Sequence, residues 1–138
     1  MAYKYDEAEI INIIDESDIV KRFFIKVPDE IPFSFKAGQF IMLNLPIDSK
    51  YTNRSYSIAS APSDDNTFEL CIVINPNGLG TNYMWSNYKV GTKVQISKVL
   101  GKFQLPEEID RDVCFIGTGT GIAPLRSMAV DILKRGRP

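Results

Sequence analysis

The chain has 138 residues, of which 44% are hydrophobic and 24% charged, and this length supports one complete hydrophobic core. Its 16 basic and 17 acidic side chains give a net charge of −1, which excludes a broad positive surface for nucleic acid or an anionic membrane. The absence of histidine excludes histidine-dependent catalytic triads. The chemistry that remains belongs to carboxylates, lysine or a bound cofactor.

The two cysteines, Cys71 and Cys114, stand alone in apolar runs. Neither has the close Cys or His companions that a zinc site or an iron–sulfur cluster requires, so we expect buried, reduced thiols and no metal. The N-terminal residues lack the apolar segment of a signal peptide, and no stretch approaches the roughly 20 apolar residues of a membrane span. We therefore expect a soluble, cytoplasmic protein.

The first hundred residues are mostly short runs rich in Ile, Val, Phe and Tyr, separated by Pro, Gly, Asn and Asp. This pattern is typical of a β-barrel or β-sandwich. The predicted strands are residues 9–15, 19–27, 39–45, 54–60, 67–74 and 93–99, with a short extra strand at 101–105. One short helix is predicted at 79–87, and the phenylalanines of 22–25 are predicted to serve the core.

The pattern changes after Pro106. An acidic stretch, 107–112, leads into the apolar run 113–116, a glycine-rich loop, and residues 123–135 with helical spacing. A strand, a tight turn and a helix begin an open parallel α/β sheet, which needs further strands and helices to cover both faces. We therefore predict a mainly β chain: a six-stranded antiparallel barrel in residues 1–108, followed in 109–138 by the first strand–loop–helix unit of a second domain.

The first motif that can carry chemistry is the predicted strand 54–60. Strand alternation places Arg54 and Tyr56 on one face and Ser55 and Ser57 on the other. An arginine can hold a phosphate with two hydrogen bonds, a tyrosine can cover a flat heteroaromatic ring, and a serine hydroxyl can bond a ring nitrogen. The same residues also fit a half-buried strand with a surface arginine, and the motif alone does not decide between the two.

The second motif is Asn77-Gly78-Leu79-Gly80-Thr81, directly before the predicted short helix. Its two glycines let the backbone approach a ligand, and the N-terminus of a helix presents free N–H groups suited to a pyrophosphate. The alternative is a plain turn in which Thr81 is the N-cap of the helix.

The third motif is the loop 117–121, which joins the apolar run to the second helix, with Pro124 in the first turn of that helix. It departs from the dinucleotide fingerprint G-x-G-x-x-G because Ile122 occupies the place of the third glycine. A Walker phosphate loop is excluded because no Gly-Lys-Ser or Gly-Lys-Thr follows. A tight strand-to-helix loop without a ligand is the alternative, although three glycines in five residues exceed what turning alone requires.

These three motifs, in this order, resemble the ferredoxin-NADP reductase superfamily, in which a flavin barrel precedes a nicotinamide-binding domain. The resemblance implies that Arg54 binds a flavin phosphate, that Tyr56 contacts the isoalloxazine ring, and that Ser57 bonds the ring nitrogen that accepts hydride. Tyr56 and Ser57 are therefore the expected catalytic residues, and Ser55 belongs to the same cofactor-binding strand.

The resemblance also assigns three further segments. The backbone of Cys71, Ile72 and Val73 would lie along the flavin; Gly78, Leu79, Gly80 and Thr81 would surround the FAD pyrophosphate; and Gly117, Thr118, Gly119, Thr120 and Gly121 would receive the nicotinamide, with Thr120 near its ring. Residues 101–103 resemble the family's turn that closes the barrel.

The function implied by this resemblance is that of a flavoprotein oxidoreductase, with hydride passing from NAD(P)H to FAD and electrons passing on to a separate acceptor. Family members continue well beyond the glycine loop, so we expect this chain to bind flavin with impaired nicotinamide binding. Two alternatives stay open: a non-enzymatic flavin-binding electron-transfer module, and an interaction domain that dimerises through strand 113–116. The acceptor, FAD against FMN, and NADH against NADPH also stay open.

Overall fold

The computed structural model describes residues 4–136, which form six β-strands and two α-helices. The strands are β1 (Tyr5–Ser17), β2 (Val20–Lys26), β3 (Phe40–Ile47), β4 (Lys50–Ser57), β5 (Thr67–Val73) and β6 (Lys93–Ser97). The helices are α1 (Leu79–Asn87), between β5 and β6, and α2 (Ile122–Lys134), which follows a 3-10 turn at Gly119–Gly121.

The strands form one antiparallel sheet in the order β4-β3-β6-β1-β2-β5. Its two outer strands meet directly after β4, where Ile58 bridges Leu70 of β5 and the Ala59 N–H donates to the Glu69 carbonyl at 2.8 Å. The sheet is thereby closed into a barrel, which leaves few unpaired strand edges. The predicted six-stranded antiparallel barrel is confirmed.

The barrel is filled by apolar side chains, and in β2 and β5 the buried residues alternate with more exposed ones. Phe23 of β2 and Leu70 of β5 lie opposite each other, and both are almost fully buried. Burial of such side chains is the main favourable term in folding. Helix α1 closes one side of the barrel with the buried Met84 and with Trp85, whose ring packs edge-on against Phe23 at 6.0 Å. The predicted core role is confirmed for Phe23 and wrong for Phe24, which is half-buried with the Arg22 guanidinium over its ring.

The extra strand predicted at 101–105 does not form. The last backbone pairing of the barrel joins Phe40 and Leu100, and Gly101 then adopts a φ of +108° that turns the chain away from the sheet. A strand requires an extended backbone at each residue, and Gly101 departs from it. The segment that follows crosses over the chain at Gly38 instead of pairing with a strand.

The predicted strand 113–116 also does not form, whereas the helix after it does. A strand is defined by hydrogen bonds to a neighbour, and no other segment within residues 4–136 pairs with this run. Helix α2 packs on the barrel through Leu125 and Met128, which form a small second apolar cluster with Ala37.

The expectation of two buried thiols is wrong, since neither thiol is fully buried. Cys71 on β5 is half-buried, and burial raises the pKa of its thiol. Cys114 is exposed, because the run that contains it has no strand beside it to cover it. Neither of the two described helices is long and apolar enough to cross a membrane.

Candidate functional site

Arg54 lies on β4 opposite Leu43, with its side chain against the first turn of α1. A Cβ atom added to Gly80 would come within 3.0 Å of Arg54 Nε, so the two segments touch closely. The Arg54 guanidinium donates a hydrogen bond to the Asn53 carbonyl at 2.8 Å. In the described part of the chain no carboxylate lies within ion-pair distance of it.

The N-terminus of α1 is open toward this arginine. Its N-cap is Gly78, in an extended conformation with φ −92° and ψ 117°, and no described side chain caps the helix. The first backbone N–H groups therefore keep their hydrogen-bonding capacity. The Thr81 hydroxyl is engaged elsewhere, since it donates to the Asn75 carbonyl at 3.1 Å and accepts from the Asn75 N–H at 3.0 Å. The alternative in which Thr81 is the N-cap is wrong, because α1 begins two residues earlier.

Tyr56 and Ser57 follow Arg54 at the end of β4. Tyr56 shares the face of Arg54, opposite the buried Ile41, and packs partly against the barrel core. Burial raises the pKa of the Tyr56 hydroxyl and Arg54 opposes that change, so the side chain stays neutral near pH 7. Ser57 lies opposite Phe40 on the other face and is half-buried, whereas Ser55 is exposed. The predicted alternation along this strand is confirmed.

The segment 71–73 of β5 begins beside the end of β4, where Ile58 and Leu70 pair. Ile72 is buried in the core, Cys71 is half-buried and Val73 is exposed. Since the Ile72 side chain points inward, a ligand on the outer face of β5 would meet the backbone and the two flanking side chains. This arrangement is compatible with the backbone contact expected for 71–73.

The glycine loop 117–121 lies next to β5. Gly117 packs close to α2, because a Cβ there would come within 2.8 Å of Leu125 Cδ1. Gly119 has a φ of +52°, and a Cβ at Gly119 or at Gly121 would meet nothing within 4 Å. The outer side of the loop is therefore open, while its inner side is held against the helix that follows.

The structure thus brings the predicted motifs to one side of the barrel. Arg54 touches the 78–81 segment directly, and the glycine loop lies beside β5, which adjoins the end of β4. No cluster of metal-ligating side chains occurs in residues 4–136. None of the three motifs indicates Arg126 and Ser127 of α2, which donate hydrogen bonds to carbonyls of the chain directly after β4. One sequence signal was available for Ser127: it lies four residues after Ala123, on the apolar face of the helix, where a polar side chain needs a partner.

Comparison with known proteins defines the class. The family model described as the oxidoreductase FAD-binding domain matches residues 7–105. This range contains α1 and the six strands, except for the first two residues of β1. This match covers well over half of the chain. The chain belongs to this family.

Curated relatives give a finer picture. The chain is 34% identical over 119 residues to the glycine betaine monooxygenase reductase subunit of Pseudomonas aeruginosa, covering 86% of this chain and 32% of that protein. It is 34% identical over 125 residues to the reductase component of phenol 2-monooxygenase of Pseudomonas sp. strain CF600, covering 90% and 34%. It is 32% identical over 130 residues to ferredoxin–NADP reductase B of Sorangium cellulosum, covering 94% and 53%. The chain spans about a third of the first two relatives and about half of the last.

Solved structures share the fold. The Amycolatopsis cytochrome P450 reductase GcoB superimposes with a TM-score of 0.83 at 28% identity, covering 97% of this chain and 41% of that one. The ferredoxin NADP+ reductase of Neisseria gonorrhoeae with bound FAD and NADP superimposes with a TM-score of 0.77 at 26% identity, covering 99% and 55%. The described barrel and its two helices therefore have the architecture of these reductases.

Proposed function

We propose that this chain is the FAD-binding part of an NAD(P)H-dependent reductase that delivers electrons to a separate acceptor. The observation that carries the proposal is the contact of Arg54 with Gly80 at the uncapped N-terminus of α1. A guanidinium and free backbone N–H groups at one place form a site for a pyrophosphate. Family membership supports FAD as the nucleotide that supplies this group.

The residues present fit a flavin nucleotide. Gly80 has no Cβ that would press on the Arg54 and Leu45 side chains, so the first turn of α1 can lie against Arg54 and the two groups come together at one place. Arg54 and the 78–81 segment would hold the phosphates, Tyr56 would cover the flavin ring, and Ser57 would bond a ring nitrogen. Bound FAD would supply the electron-accepting ring, and the side chains would bind and orient it. Neither Tyr56 nor Ser57 needs to titrate for this role.

Residues 109–138 are, in this proposal, the first part of the nicotinamide-binding domain, and residues 1–108 are the FAD-binding domain. The open outer side of Gly119 and Gly121 gives room for a nucleotide beside the barrel. The relatives are two to three times longer than the segment matched, so hydride transfer from NAD(P)H is proposed for the family architecture rather than for residues 4–136 alone.

The electron acceptor is proposed to be a separate protein. Two relatives are named as the reductase subunit or component of a monooxygenase, which pairs a reductase with another component.

A homodimer stays a prediction. It would use a groove of about 630 Å³ between segment 109–115 and α2, which is lined by Val113, Phe115 and Ile132 among others. The cytoplasmic location also stays a prediction.

Titration of the purified chain with FAD tests the proposal, with visible absorbance and the dissociation constant as measurements. We expect a yellow complex, and Arg54→Met should weaken FAD binding about ten- to a hundredfold because a charge-assisted bond to phosphate is lost. Lys50→Met, at the exposed start of the same strand, is the matched control and should bind as the wild type does. A chain that stays colourless with excess FAD, or an Arg54→Met variant with unchanged affinity, would contradict the proposal.

A further inference from the structure

Arg126 of α2 reaches back to the barrel. Its Nη1 donates to the Ala59 carbonyl at 2.7 Å and lies 3.1 Å from Glu69 Oε2. The Glu69 side chain is largely buried, and the same oxygen lies 3.3 Å from Arg22 Nη1. A buried carboxylate needs a positively charged partner to offset its loss of hydration. Because Arg126 is one of the two partners of Glu69, this ion pair holds α2 against β5.

The next residue, Ser127, makes a second bond beside the first. It is fully buried, and its hydroxyl donates to the Ser60 carbonyl at 2.6 Å. The Ser60 hydroxyl in turn accepts the Glu69 N–H at 3.0 Å. Two consecutive residues of the helix therefore bind two consecutive carbonyls after β4. We call this set, Arg126 and Ser127 with Ala59, Ser60 and Glu69, the α2–barrel contact.

The α2–barrel contact lies between the proposed flavin-lining strands and the glycine loop. Ala59 follows Ser57 by two residues, and Glu69 precedes Cys71 by two. The helix that carries Arg126 begins directly after Gly121. Apolar packing of α2 on the barrel is small, so much of the orientation of the helix depends on these directional bonds.

We propose that Arg126 and Ser127 are positioning residues, which hold the glycine loop at a fixed place beside the flavin-lining ends of β4 and β5. This inference rests on the proposed function. Transfer between two bound rings needs reacting atoms about 3–3.5 Å apart, and a displacement of about 1 Å can lower a rate about a hundredfold. Arg126 and Ser127 act through the loop, with no contact to either cofactor required.

The first test is hydrogen–deuterium exchange of the full chain without added cofactor. Arg126→Met and, separately, Ser127→Ala should raise exchange across residues 119–134 about tenfold, while β1 and β2 stay within about twofold of the wild type. Arg126→Lys keeps a charge toward Glu69 and should restore part of the protection. Lys134→Met, at the exposed end of the same helix, is the control and should leave exchange unchanged. Unaltered exchange in α2, or an equal rise in the barrel strands, would overturn the proposal.

The second test is titration of the same variants with FAD, with visible absorbance as the measurement. Arg126→Met and Ser127→Ala should each keep the dissociation constant for FAD within about twofold of the wild type, because both residues act on the glycine loop and not on the flavin. A loss of FAD affinity of about tenfold or more in either variant would overturn the positioning role, since it would make the residue part of the flavin site. Failure of the wild type to bind FAD would instead refute the proposed function, and the exchange measurement would still show whether these two residues hold α2.

Discussion

Gly80 sets how closely the first turn of α1 approaches Arg54. Glycine is the least favourable residue in a helix interior after proline. A larger residue at position 80 would be crowded, however, because its Cβ would come within 3.1 Å of Arg54 Cγ and 3.3 Å of Leu45 Cδ1. Strand alternation alone predicted that Arg54 and Tyr56 share a face. That Arg54 meets Gly80, 26 residues further along the chain (80 − 54), depends on how α1 crosses the barrel.

Substitution Gly80→Ala tests this approach. The new methyl group would displace the Arg54 side chain, so we expect FAD to bind about tenfold more weakly, an effect of about 1.4 kcal/mol. Alanine favours a helix by up to about 1 kcal/mol over glycine, which offsets the crowding, so thermal stability should change little. Titration with FAD and a melting curve on the same samples separate the two effects. Ser86→Ala, on the exposed side of α1, is the control and should bind FAD as the wild type does. Unchanged FAD affinity in Gly80→Ala would show that FAD binding does not need the Arg54 side chain in this position.

At the scale of elements, local patterns located most strands and both helices. The observed bounds of α1 agree with the predicted 79–87, and α2 differs by one residue at each end. The β3–β4 hairpin is longer than the sequence pattern predicts, because its turn residues, Asp48 and Ser49, both adopt positive φ without the glycine that usually marks such a turn. Segment 101–105 resembled a strand in composition, but its path is determined by contact with Gly38.

Gly38 lies directly beneath this segment, with a φ of +98° and room for no Cβ, since one would come within 2.0 Å of the Phe103 carbonyl oxygen. Gly91 provides a matched control, because it has a φ of +91° with nothing within 4 Å. We expect Gly91→Ala to cost only the backbone strain, about 1–2 kcal/mol of unfolding free energy. Gly38→Ala should cost at least about 2 kcal/mol more, because the neighbour is backbone. Urea unfolding of the two variants measures both, and equal losses would contradict the close approach.

At the scale of the whole molecule, an aromatic cluster joins α1 to the barrel. Tyr88, just after α1, packs edge-on against Phe23 of β2 at 5.8 Å and against Tyr83 at 6.1 Å. Burial, and then the neighbouring Tyr83 and Tyr56, raise the pKa of Tyr88 well above its ordinary value of 10.0. The folded state therefore holds this proton more tightly than the unfolded chain does.

This difference predicts the response of stability to alkaline pH. A tyrosine whose pKa is raised by folding contributes to the free energy of unfolding, and this contribution is fully present below about pH 10. It is lost as pH rises from there toward the pKa of the folded state, by up to about 1.4 kcal/mol per pH unit. Tyr88→Phe should therefore flatten the fall of unfolding free energy between about pH 10 and pH 11. Urea unfolding at several pH values measures the slope. Tyr51→Phe, at an exposed position, should keep the wild-type slope, and an equal slope in Tyr88→Phe would contradict burial of that hydroxyl.

Local sequence patterns are enough to predict the barrel, the helix after the 78–81 segment and the order of the three motifs, because alternation, helix spacing and glycine placement are properties of neighbouring residues. Three contacts are visible only in the folded chain: Arg54 lies against Gly80, Phe103 crosses Gly38, and Arg126 pairs with Glu69. Each of these contacts joins residues 26 to 65 positions apart (80 − 54, 103 − 38 and 126 − 69). Such pairings depend on barrel closure and helix packing, which no local pattern encodes.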